Sequence, residues 1–211
     1  MIAVEGLRFR YQASGDELFG GLDHAFAPGR LTVVTGRSGR GKSTLLYLLG
    51  FLLTPTGGSV RLLDRKTGAL SDADRSRLRA RHIGFVFQDA ALDPNRTILD
   101  NVVEGGLYAG MSRRDAEARA RSLMADLGVA LPEGHRPGEV SGGQAQRIGL
   151  CRALLKYPSL ILADEPTGNL DAESAAIVFR ALATAASSGA TVIVASHDER
   201  VKERADDVLA L

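Results

Sequence analysis

Residues 31–49 read LTVVTGRSGRGKSTLLYLL, and this stretch decides the fold class. Its first five residues are apolar or β-branched, which is typical of a buried strand, and its last residues predict a buried helix. Between them, Gly36–Ser43 fits the spacing G-x-x-x-x-G-K-[ST]. The glycines let the backbone curl so that several N–H groups face one phosphate chain, and the helix start adds partial positive charge. The stretch therefore predicts a strand, a phosphate-binding loop and a helix in succession.

The residue types of this loop indicate which ligand it binds. Lys42 has the length to reach the β- and γ-phosphates of a nucleotide, and the Ser43 hydroxyl can ligate Mg²⁺. The alternative is an ordinary turn that contains glycines, which the strand before the loop and the helix after it disfavour. We therefore predict that a nucleotide is bound by Gly36, Arg37, Ser38, Gly39, Arg40, Gly41, Lys42, Ser43 and Thr44.

Two apolar segments end in polar residues that suit ATP hydrolysis. Asp164 and Glu165 end the segment SLILADEP, and His197 follows the segment ATVIVAS. Because ligands bind at the carboxyl ends of strands in an open parallel sheet, we expect these side chains near the nucleotide. Asp164 is predicted to hold Mg²⁺, Glu165 to polarise the attacking water, and His197 to donate to the γ-phosphate. Alone, an Asp–Glu pair is usually a solvated loop start, and a histidine there is usually a cap or a surface residue.

Gln88 ends a third apolar segment, IGFVFQ at residues 83–88. Its amide oxygen is a neutral group that can ligate Mg²⁺ or orient the attacking water. Without the phosphate-binding loop, Gln88 would be only a polar residue at a strand end. With it, we predict that Gln88 takes part in metal binding and catalysis.

The order of the segments predicts an α/β fold. Strands that alternate with helices favour a mostly parallel sheet covered on both faces. Residues 2–10 alternate loosely and are predicted to form an edge strand. Helices are predicted over 43–53 and 142–157, because each segment is apolar on one face and each is followed by a proline.

The middle of the chain differs from both ends. Residues 89–157 contain no clear strand pattern, so we interpret them as a helical subdomain inserted into the sheet. The nucleotide-binding core would then comprise residues 1–88 and 158–211. All of these segments are predicted to belong to one domain, residues 1–211.

Composition limits the partners and the compartment. The 26 basic and 25 acidic residues give a net charge of +1, so no strong field favours nucleic acid. The single cysteine, Cys151, excludes an internal disulfide and a multi-cysteine zinc site, and it fits a reducing compartment. The apolar run at 45–53 is shorter than the roughly 20 residues of a membrane-spanning helix. The N-terminal residues lack a secretory signal pattern, and we therefore expect a cytoplasmic location.

A second glycine-rich helix start lies far from the first one. Residues 140–147 read VSGGQAQR, in which Ser141, Gly142 and Gly143 open a predicted helix. Two adjacent glycines weaken a helix start, while a serine cap alone does not call for them. The segment therefore predicts a second place where a helix N-terminus closely approaches an anion.

Together these residues resemble the nucleotide-binding subunit of ABC (ATP-binding cassette) transporters over essentially the whole chain. The matching motifs, in chain order, are the Walker A loop Gly36–Ser43, the Q-loop glutamine Gln88, the signature Ser141–Gln144 after Val140 in place of leucine, Walker B with its catalytic Glu165, the D-loop Asn169–Asp171 and the switch His197. The resemblance implies a P-loop NTPase core with a mostly parallel sheet, an N-terminal antiparallel β portion and an inserted α-helical subdomain.

Three other positions gain meaning only from the resemblance. Tyr11 lies where the family places an aromatic residue that stacks on adenine, although alone it would be read as core or edge packing. Arg40 occupies a Walker A position that is usually small, and the sequence leaves open whether it meets phosphate or points outward. Cys151 stands where alanine is common in the signature helix, which is read as ordinary packing.

In this family two cassettes associate head to tail and enclose two ATP molecules. The resemblance therefore implies a homodimer that forms on ATP binding. In such a dimer, the nucleotide held by one subunit would be contacted by the signature and D-loop of the other, through Ser141, Gly142, Gly143, Gln144 and Asp171. This arrangement would explain the second glycine-rich helix start.

The resemblance also implies a separate transmembrane permease and a peripheral position on the inner face of the cell membrane. DEPTGNLD, GFVFQ and the compact length resemble the branch with the lipoprotein-releasing, macrolide-efflux and cell-division cassettes. DPNRTILDNV departs from that branch's pattern in the partner-facing segment. Substrate and transport direction stay open.

Two alternatives belong to other functional classes. An ATPase that transmits motion to an envelope protein without transport would carry identical motifs. A soluble ABC ATPase acting on DNA or ribosomes usually carries a coiled-coil insertion or two cassettes in tandem, and neither is visible here.

Overall fold

Two β-sheets form the framework of the protein. The computed structural model describes residues 2–12, 14–63, 65–68, 70–132, 134–168 and 170–211, and for Arg65 and Lys66 only the backbone. The larger sheet is parallel throughout, with the strand order β6-β7-β8-β3-β9. Its strands are β3 (Leu31–Thr35), β6 (Ile83–Val86), β7 (Leu160–Asp164), β8 (Thr191–Ala195) and β9 (Asp207–Ala210).

The central strands of this sheet explain the apolar segments of the sequence. Every residue of β7 and β8 is buried, because helices cover both faces of the sheet. Register brings their carboxyl ends together, with Asp164 paired to Ala195. The residues that follow these two strands therefore emerge at one edge, as the sequence predicts.

The smaller sheet is antiparallel, with the order β2-β1-β4-β5. Its strands are β1 (Ile2–Phe9), β2 (Leu18–Phe26), β4 (Gly57–Leu62) and β5 (Arg65–Lys66). The prediction that residues 2–10 form an edge strand is wrong, because β1 pairs with β2 on one side and β4 on the other. The cause of the error is β2, which sequence patterning missed because Phe19, Gly20 and Gly21 have positive φ and interrupt its alternation.

Helices connect the strands. They are α1 (Lys42–Leu49), α2 (Asp72–His82), α3 (Ile98–Tyr108), α4 (Arg113–Asp126), a 3₁₀-helix (Pro137–Glu139), α5 (Gly142–Leu154), α6 (Ala172–Ser187) and α7 (Glu199–Lys202). Two of them are shorter than predicted. Helix α1 ends before Gly50 and Phe51, and α5 ends before Tyr157; Phe51 and Tyr157 both adopt positive φ, which a continuing helix does not permit.

The described residues between 89 and 157 form helices α3 to α5 and the 3₁₀-helix, with no strand. Helix α3 packs against both α4 and α5. One hydrophobic core contains residues of these helices, such as Val102 and Ile148, together with Ile161 of the parallel sheet. Because this core is continuous, the boundaries at residues 88/89 and 157/158 stay a prediction.

Within the described part of the chain, no helix has the length and apolar character that crossing a membrane requires.

The single cysteine provides a test of the packing of α5. Cys151 is fully buried, and burial raises the pKa of its thiol to about 12. Because the thiolate is the reactive form, we expect Cys151 to resist a thiol-directed reagent at neutral pH in the folded protein and to react in denaturant. Absorbance of the released chromophore measures the reaction. Stoichiometric labelling under native conditions would contradict this packing.

Candidate functional site

Most of the predicted nucleotide-binding residues line one open cavity of about 870 Å³. Its size falls within the range of small-molecule sites. The predicted residues in its lining are Tyr11, Gly36, Ser38, Gly39, Gly41, Lys42, Ser43, Thr44, Gln88, Glu165 and His197. Sequence reasoning missed Gln12, Gly15, Asp16 and Leu18, which also line it. Three of them lie between Tyr11 and β2, and Leu18 is the first residue of β2, a strand that the sequence pattern did not reveal.

The loop before α1 is curled by its glycines. Gly39 and Gly41 have φ of 82° and 92°, which favour glycine, and Gly41 is the residue that caps α1. A Cβ atom on Gly41 would lie 3.1 Å from Leu18 Cδ1, so the Leu18 side chain would have to shift by a few tenths of an ångström to accept it. Lys42 Nζ donates to the Gly36 carbonyl at 3.0 Å across the loop. The ammonium group is thereby held over the cavity's phosphate-binding loop.

Asp164 and Ser43 form a hydrogen-bonded pair at the cavity. Ser43 Oγ donates to Asp164 Oδ1 at 2.9 Å, and Asp164 is only 2% exposed. Burial raises the pKa of the Asp164 carboxyl, and the Glu165 charge adds to this, while the Ser43 hydrogen bond and the Lys42 charge oppose it. A buried carboxylate beside a hydroxyl is a suitable oxygen pair for Mg²⁺. Among the described residues, no group of three or more His, Cys, Asp or Glu is placed so that it could hold a metal ion.

Asp164 has a second partner that was not predicted from the sequence. The Tyr47 phenol interacts with the Asp164 carboxylate, and burial together with that charge raises the pKa of Tyr47. Tyr47 lies on α1 one turn after Ser43. Helical spacing of four residues could have revealed this partner, because positions i and i+4 share one face.

Glu165 and His197 are paired. His197 Nδ1 lies 2.8 Å from Glu165 Oε1, and Ser196 Oγ donates to Glu165 Oε2 at 3.4 Å. Glu165 has φ of 43°, an uncommon conformation for a residue with a side chain, and its N–H donates to the Ala195 carbonyl at 2.9 Å. The sequence predicted both residues at the site but not their contact.

Helix α5 holds the segment that carries Gln88. Gln146 Nε2 donates to the Phe87 carbonyl at 3.1 Å, and Arg152 donates to the Ala90 and Ala91 carbonyls at 2.5 and 2.7 Å. Ala90 and Ala91 both have positive φ, so the segment makes a tight turn. Gln88 itself is exposed and reaches the cavity. This attachment could not be predicted from the sequence, because its hydrogen bonds are accepted by backbone carbonyls.

Tyr11 stands at the edge of the cavity. Its ring is 66% exposed and contacts the edge of Phe9, with centroids 4.9 Å apart. Its hydroxyl forms a 2.8 Å hydrogen bond with Thr44 Oγ1 at the start of α1. An exposed ring fixed at both ends offers a flat surface to a ligand beside the phosphate-binding loop.

Two predicted loop residues lie outside the cavity lining. Arg37 and Arg40 are exposed, and Arg40 N–H donates to the Arg37 carbonyl at 3.2 Å. Among the described residues neither side chain forms an ion pair. The structure therefore does not bring Arg37 or Arg40 against the other predicted groups.

The signature residues also lie away from the large cavity. Ser141 Oγ accepts the Gln144 N–H at 3.2 Å, and Gln144 Oε1 accepts the Ser141 N–H at 2.8 Å, which forms a reciprocal cap on α5. A Cβ atom on Gly142 would meet nothing within 4 Å, and one on Gly143 would make only ordinary contact with Ser174 and Leu170. Gly142 lines a smaller cavity of about 210 Å³ together with Gln88 and Glu165.

Asp171, predicted in the D-loop, caps α6. Its carboxylate accepts the Ser174 N–H at 2.8 Å and the Ser174 hydroxyl at 3.0 Å, which lowers the pKa of Asp171. Asn169, the first residue of that motif, lies outside the described residues. Neither cavity lining includes Asp171.

Comparison with known proteins identifies the family. The family described as ABC transporter matches residues 19–168. A lipoprotein-releasing system ATP-binding protein of Rhodospirillum rubrum is 43% identical over 90% of this chain and 85% of its own length. A macrolide export ATP-binding/permease protein of Chromobacterium violaceum is 39% identical over all of this chain, which spans 33% of that longer protein.

A solved dimeric structure gives the same result for the fold. It is a post-hydrolysis state of an ATP-binding cassette bound to ADP and Pi, with 31% identity and a TM-score of 0.91 over 100% of this chain and 94% of the other. The predicted P-loop core, parallel sheet and antiparallel N-terminal portion are thus confirmed. The chain belongs to the ABC transporter family, in which it is an ATP-binding and ATP-hydrolysing cassette.

Proposed function

We propose that two copies of this chain enclose two ATP molecules, each held by the loop of one copy and the signature of the other. The observation that carries this proposal is the exposed, unfilled space around Gly142 at the start of α5. Nothing in the same chain requires a glycine there, so the missing side chain fits a ligand or partner. The similar cassette that is dimeric and bound to ADP and Pi supports a dimer of this chain.

We assign the chemical step to the pair at the end of β7. Glu165 would accept a hydrogen bond from the attacking water and so polarise it for attack on the γ-phosphate. Because a carboxylate only accepts, the Nδ1 of His197 carries the proton in the 2.8 Å contact. Donation from His197 Nε2 to the phosphate at the same time would require the imidazolium form. Gln88, which lines the same cavity, would help to orient the water.

Binding of the triphosphate falls to the loop and its neighbours. Lys42 would exchange its contact with the Gly36 carbonyl for the β- and γ-phosphates, and the Tyr11 ring would stack on adenine. Ser43, Asp164 and Gln88 would hold Mg²⁺, which when bound neutralises charge on the β- and γ-phosphates. The exposed Arg37 and Arg40 would add positive charge around the loop rather than direct contacts.

A glycine substitution tests the dimer proposal without disturbing the fold. We expect Gly142→Leu to leave the melting temperature and monomer ATP binding nearly unchanged, because its Cβ atom meets nothing in the same chain. It should lower ATP turnover by about tenfold or more, since about 1.4 kcal/mol of lost closure energy suffices for that factor. Thermal unfolding, fluorescent-nucleotide binding and phosphate release are the measurements.

The matched control is Gly138→Leu. Gly138 is also exposed, and a Cβ atom on it would likewise meet nothing within 4 Å. Its turnover should remain near that of the unsubstituted protein. Equal turnover in Gly142→Leu and Gly138→Leu would contradict the placement of the signature against a second nucleotide site.

We further propose that the dimer drives a separate transmembrane permease from the cytoplasmic face of the membrane. Relatives named for lipoprotein release are ATP-binding proteins of similar length to this chain, whereas the macrolide export relatives combine ATP-binding and permease portions. This favours a role in transport over the regulation of an envelope protein without transport. Co-purification of a membrane protein with the tagged chain would identify the permease.

A further inference from the structure

Two residues of α1 contact the carboxylate that ends β7. Ser43 Oγ donates to Asp164 Oδ1 at 2.9 Å, and the Tyr47 phenol forms a further hydrogen bond with the same carboxylate. The two donors are four residues apart, so they lie on one face of α1, one turn from each other. The phosphate-binding motif ends at Ser43, and Tyr47 therefore lies outside every motif that the sequence analysis used.

Packing against the parallel sheet holds the ring of Tyr47. The ring is half-buried, and its centroid lies 5.7 Å from that of Phe85 on β6. Just beyond α1, a Cβ atom on Gly50 would lie 3.3 Å from both Phe85 Cε2 and Leu162 Cδ1, so the helix approaches β6 and β7 closely. This close approach limits the movement of the ring. Packing as well as the hydrogen bond therefore fixes the position of the phenol.

Asp164 depends on donors from the protein. The residue is only 2% exposed, so water has little access to its carboxylate, and a buried charged group requires hydrogen bonds from its surroundings. A neutral phenol donates and a carboxylate accepts, so Tyr47 supplies one of these bonds in addition to the bond from Ser43. A carboxylate held by two donors has less freedom to rotate about its Cβ–Cγ bond. Its oxygens therefore keep one orientation toward the cavity side of α1.

The two hydroxyl groups differ in where they stand relative to the nucleotide cavity. Ser43 lines the cavity, and its oxygen is of the type that ligates Mg²⁺ beside a bound nucleotide. Tyr47 is absent from the cavity lining and lies one turn farther along α1. It reaches Asp164 from behind the site, so it can keep its hydrogen bond while Ser43 and Asp164 hold the ion.

We propose that Tyr47 is a positioning residue for metal binding, whose hydroxyl holds the Asp164 carboxylate in the orientation that receives Mg²⁺. This inference rests on the proposed function, because it names the residue that orients a proposed metal ligand. Hydrogen-bonding partners of metal ligands typically contribute about 10- to 100-fold to metal affinity. Loss of the Tyr47 hydroxyl should therefore weaken metal binding but not the binding of nucleotide without metal.

Mn²⁺ provides a direct probe of the site. It accepts the same oxygen ligands as Mg²⁺, and the electron paramagnetic resonance signal of the free ion weakens when the ion binds. The titration uses the whole chain in excess over a non-hydrolysable ATP analogue, so that free nucleotide does not compete for the metal. We expect Tyr47→Phe to raise the dissociation constant of Mn²⁺ from this complex by about tenfold. The substitution removes the hydroxyl and keeps the ring that packs against Phe85.

The matched control is Tyr157→Phe, which removes a hydroxyl from another tyrosine. Tyr157 is 71% exposed and precedes the first residue of β7, whereas Asp164 is the last residue of that strand. Its Mn²⁺ affinity should stay within about twofold of the unsubstituted protein, which corresponds to about 0.4 kcal/mol. Equal Mn²⁺ affinity in Tyr47→Phe and Tyr157→Phe would overturn the inference.

Nucleotide binding without metal separates positioning from a structural role. In EDTA, Tyr47→Phe should bind a fluorescent ATP analogue within about twofold of the unsubstituted protein, and its melting temperature should be nearly unchanged. A loss of nucleotide affinity in EDTA as large as the loss of Mn²⁺ affinity would show that Tyr47 supports the loop or the fold instead. That result would also overturn the inference.

The dependence of phosphate release on Mg²⁺ concentration supplies an independent readout. For Tyr47→Phe, the Mg²⁺ concentration that gives half-maximal turnover should rise by about tenfold. Turnover at saturating Mg²⁺ should approach that of the unsubstituted protein, because excess metal compensates for a less ordered ligand. An unchanged half-maximal concentration, or a loss of turnover that excess Mg²⁺ does not restore, would contradict a role in metal binding.

Asp164→Asn distinguishes failure of this inference from failure of the proposed function. The amide keeps the shape of the side chain and removes its charge. If Asp164→Asn weakens Mn²⁺ binding and Tyr47→Phe does not, only the role of Tyr47 is refuted. If Asp164→Asn binds Mn²⁺ as tightly as the unsubstituted protein, the metal assignment in the proposed function is wrong, and the role of Tyr47 is refuted with it.

Discussion

Replacing Glu165 with Gln is expected to lower ATP turnover by about 100-fold or more while ATP binding is retained. A general base contributes roughly 10²–10⁴ in rate, and the amide cannot take that role although it has the same shape. The substitution also removes the negative charge of Glu165 beside Asp164. No new repulsion of the nucleotide phosphates arises, so nucleotide binding should not weaken. Because closure is no longer followed by cleavage, the dimer should accumulate with ATP on a sizing column.

The control for this variant is Glu199→Gln. Glu199 is an exposed carboxylate near His197 in the sequence, and within the described part of the chain it forms an ion pair with Lys202 at 3.2 Å. Its turnover should stay within about twofold of the unsubstituted protein, since exposed pairs contribute little. Turnover by Glu165→Gln at the level of this control would remove Glu165 from the chemical step.

Mixing two inactive variants is expected to restore ATP hydrolysis. Lys42→Ala removes the phosphate-binding ammonium group, and Ser141→Arg places a bulky charge at the signature. In the proposed dimer of one copy of each, one site combines both substitutions and the other contains neither. A 1:1 mixture should therefore recover up to about one quarter of the original turnover, since random pairing gives about half mixed dimers with one intact site each.

The effect of Ser141→Arg must be separated from the loss of a helix cap, which costs about 1 kcal/mol. Ser112→Arg is the matched control, because Ser112 is an exposed cap of α4 that accepts the Asp115 N–H at 3.1 Å. It should hydrolyse ATP normally on its own. If neither an ATP-dependent mixed dimer nor any restored turnover is detected, the arrangement with shared sites is incorrect.

The sequence predicted the parts of the fold and the site that depend on local pattern. The strand, loop and helix around Lys42 follow from glycine placement and apolar periodicity, and those features are encoded within a few residues. Strand β2 was not predicted, because the positive φ at Phe19 breaks the alternation of its side chains between the two faces of the sheet. The Glu165–His197 contact and the cavity residues before β2 depend on how distant segments pack, which no single segment records.

Clusters formed by distant segments illustrate a further limit. Arg79 and Arg81 of α2 line the same concave surface as Arg152 of α5, and the near-neutral net charge of the chain conceals this clustering. The attachment of the Gln88 segment to α5 is equally hidden, because Gln146 and Arg152 donate to carbonyls that every residue type provides. The signature presents a different difficulty, since a Cβ atom on Gly142 would meet nothing within 4 Å in the described chain, and the proposed contact with a second copy is not recorded in one chain's packing.

The hydrogen bonds from α5 to the Gln88 segment couple the position of that segment to the orientation of the helix. Ser141 caps one end, and Arg152, eleven residues later, lies about 16 Å away at 1.5 Å per residue. A tilt of about 10° pivoted at Arg152 would move the capped end by roughly 3 Å, a distance comparable to one hydrogen bond. Because Gln146 of the same helix donates to the Phe87 carbonyl, such a tilt would also move the segment that carries Gln88.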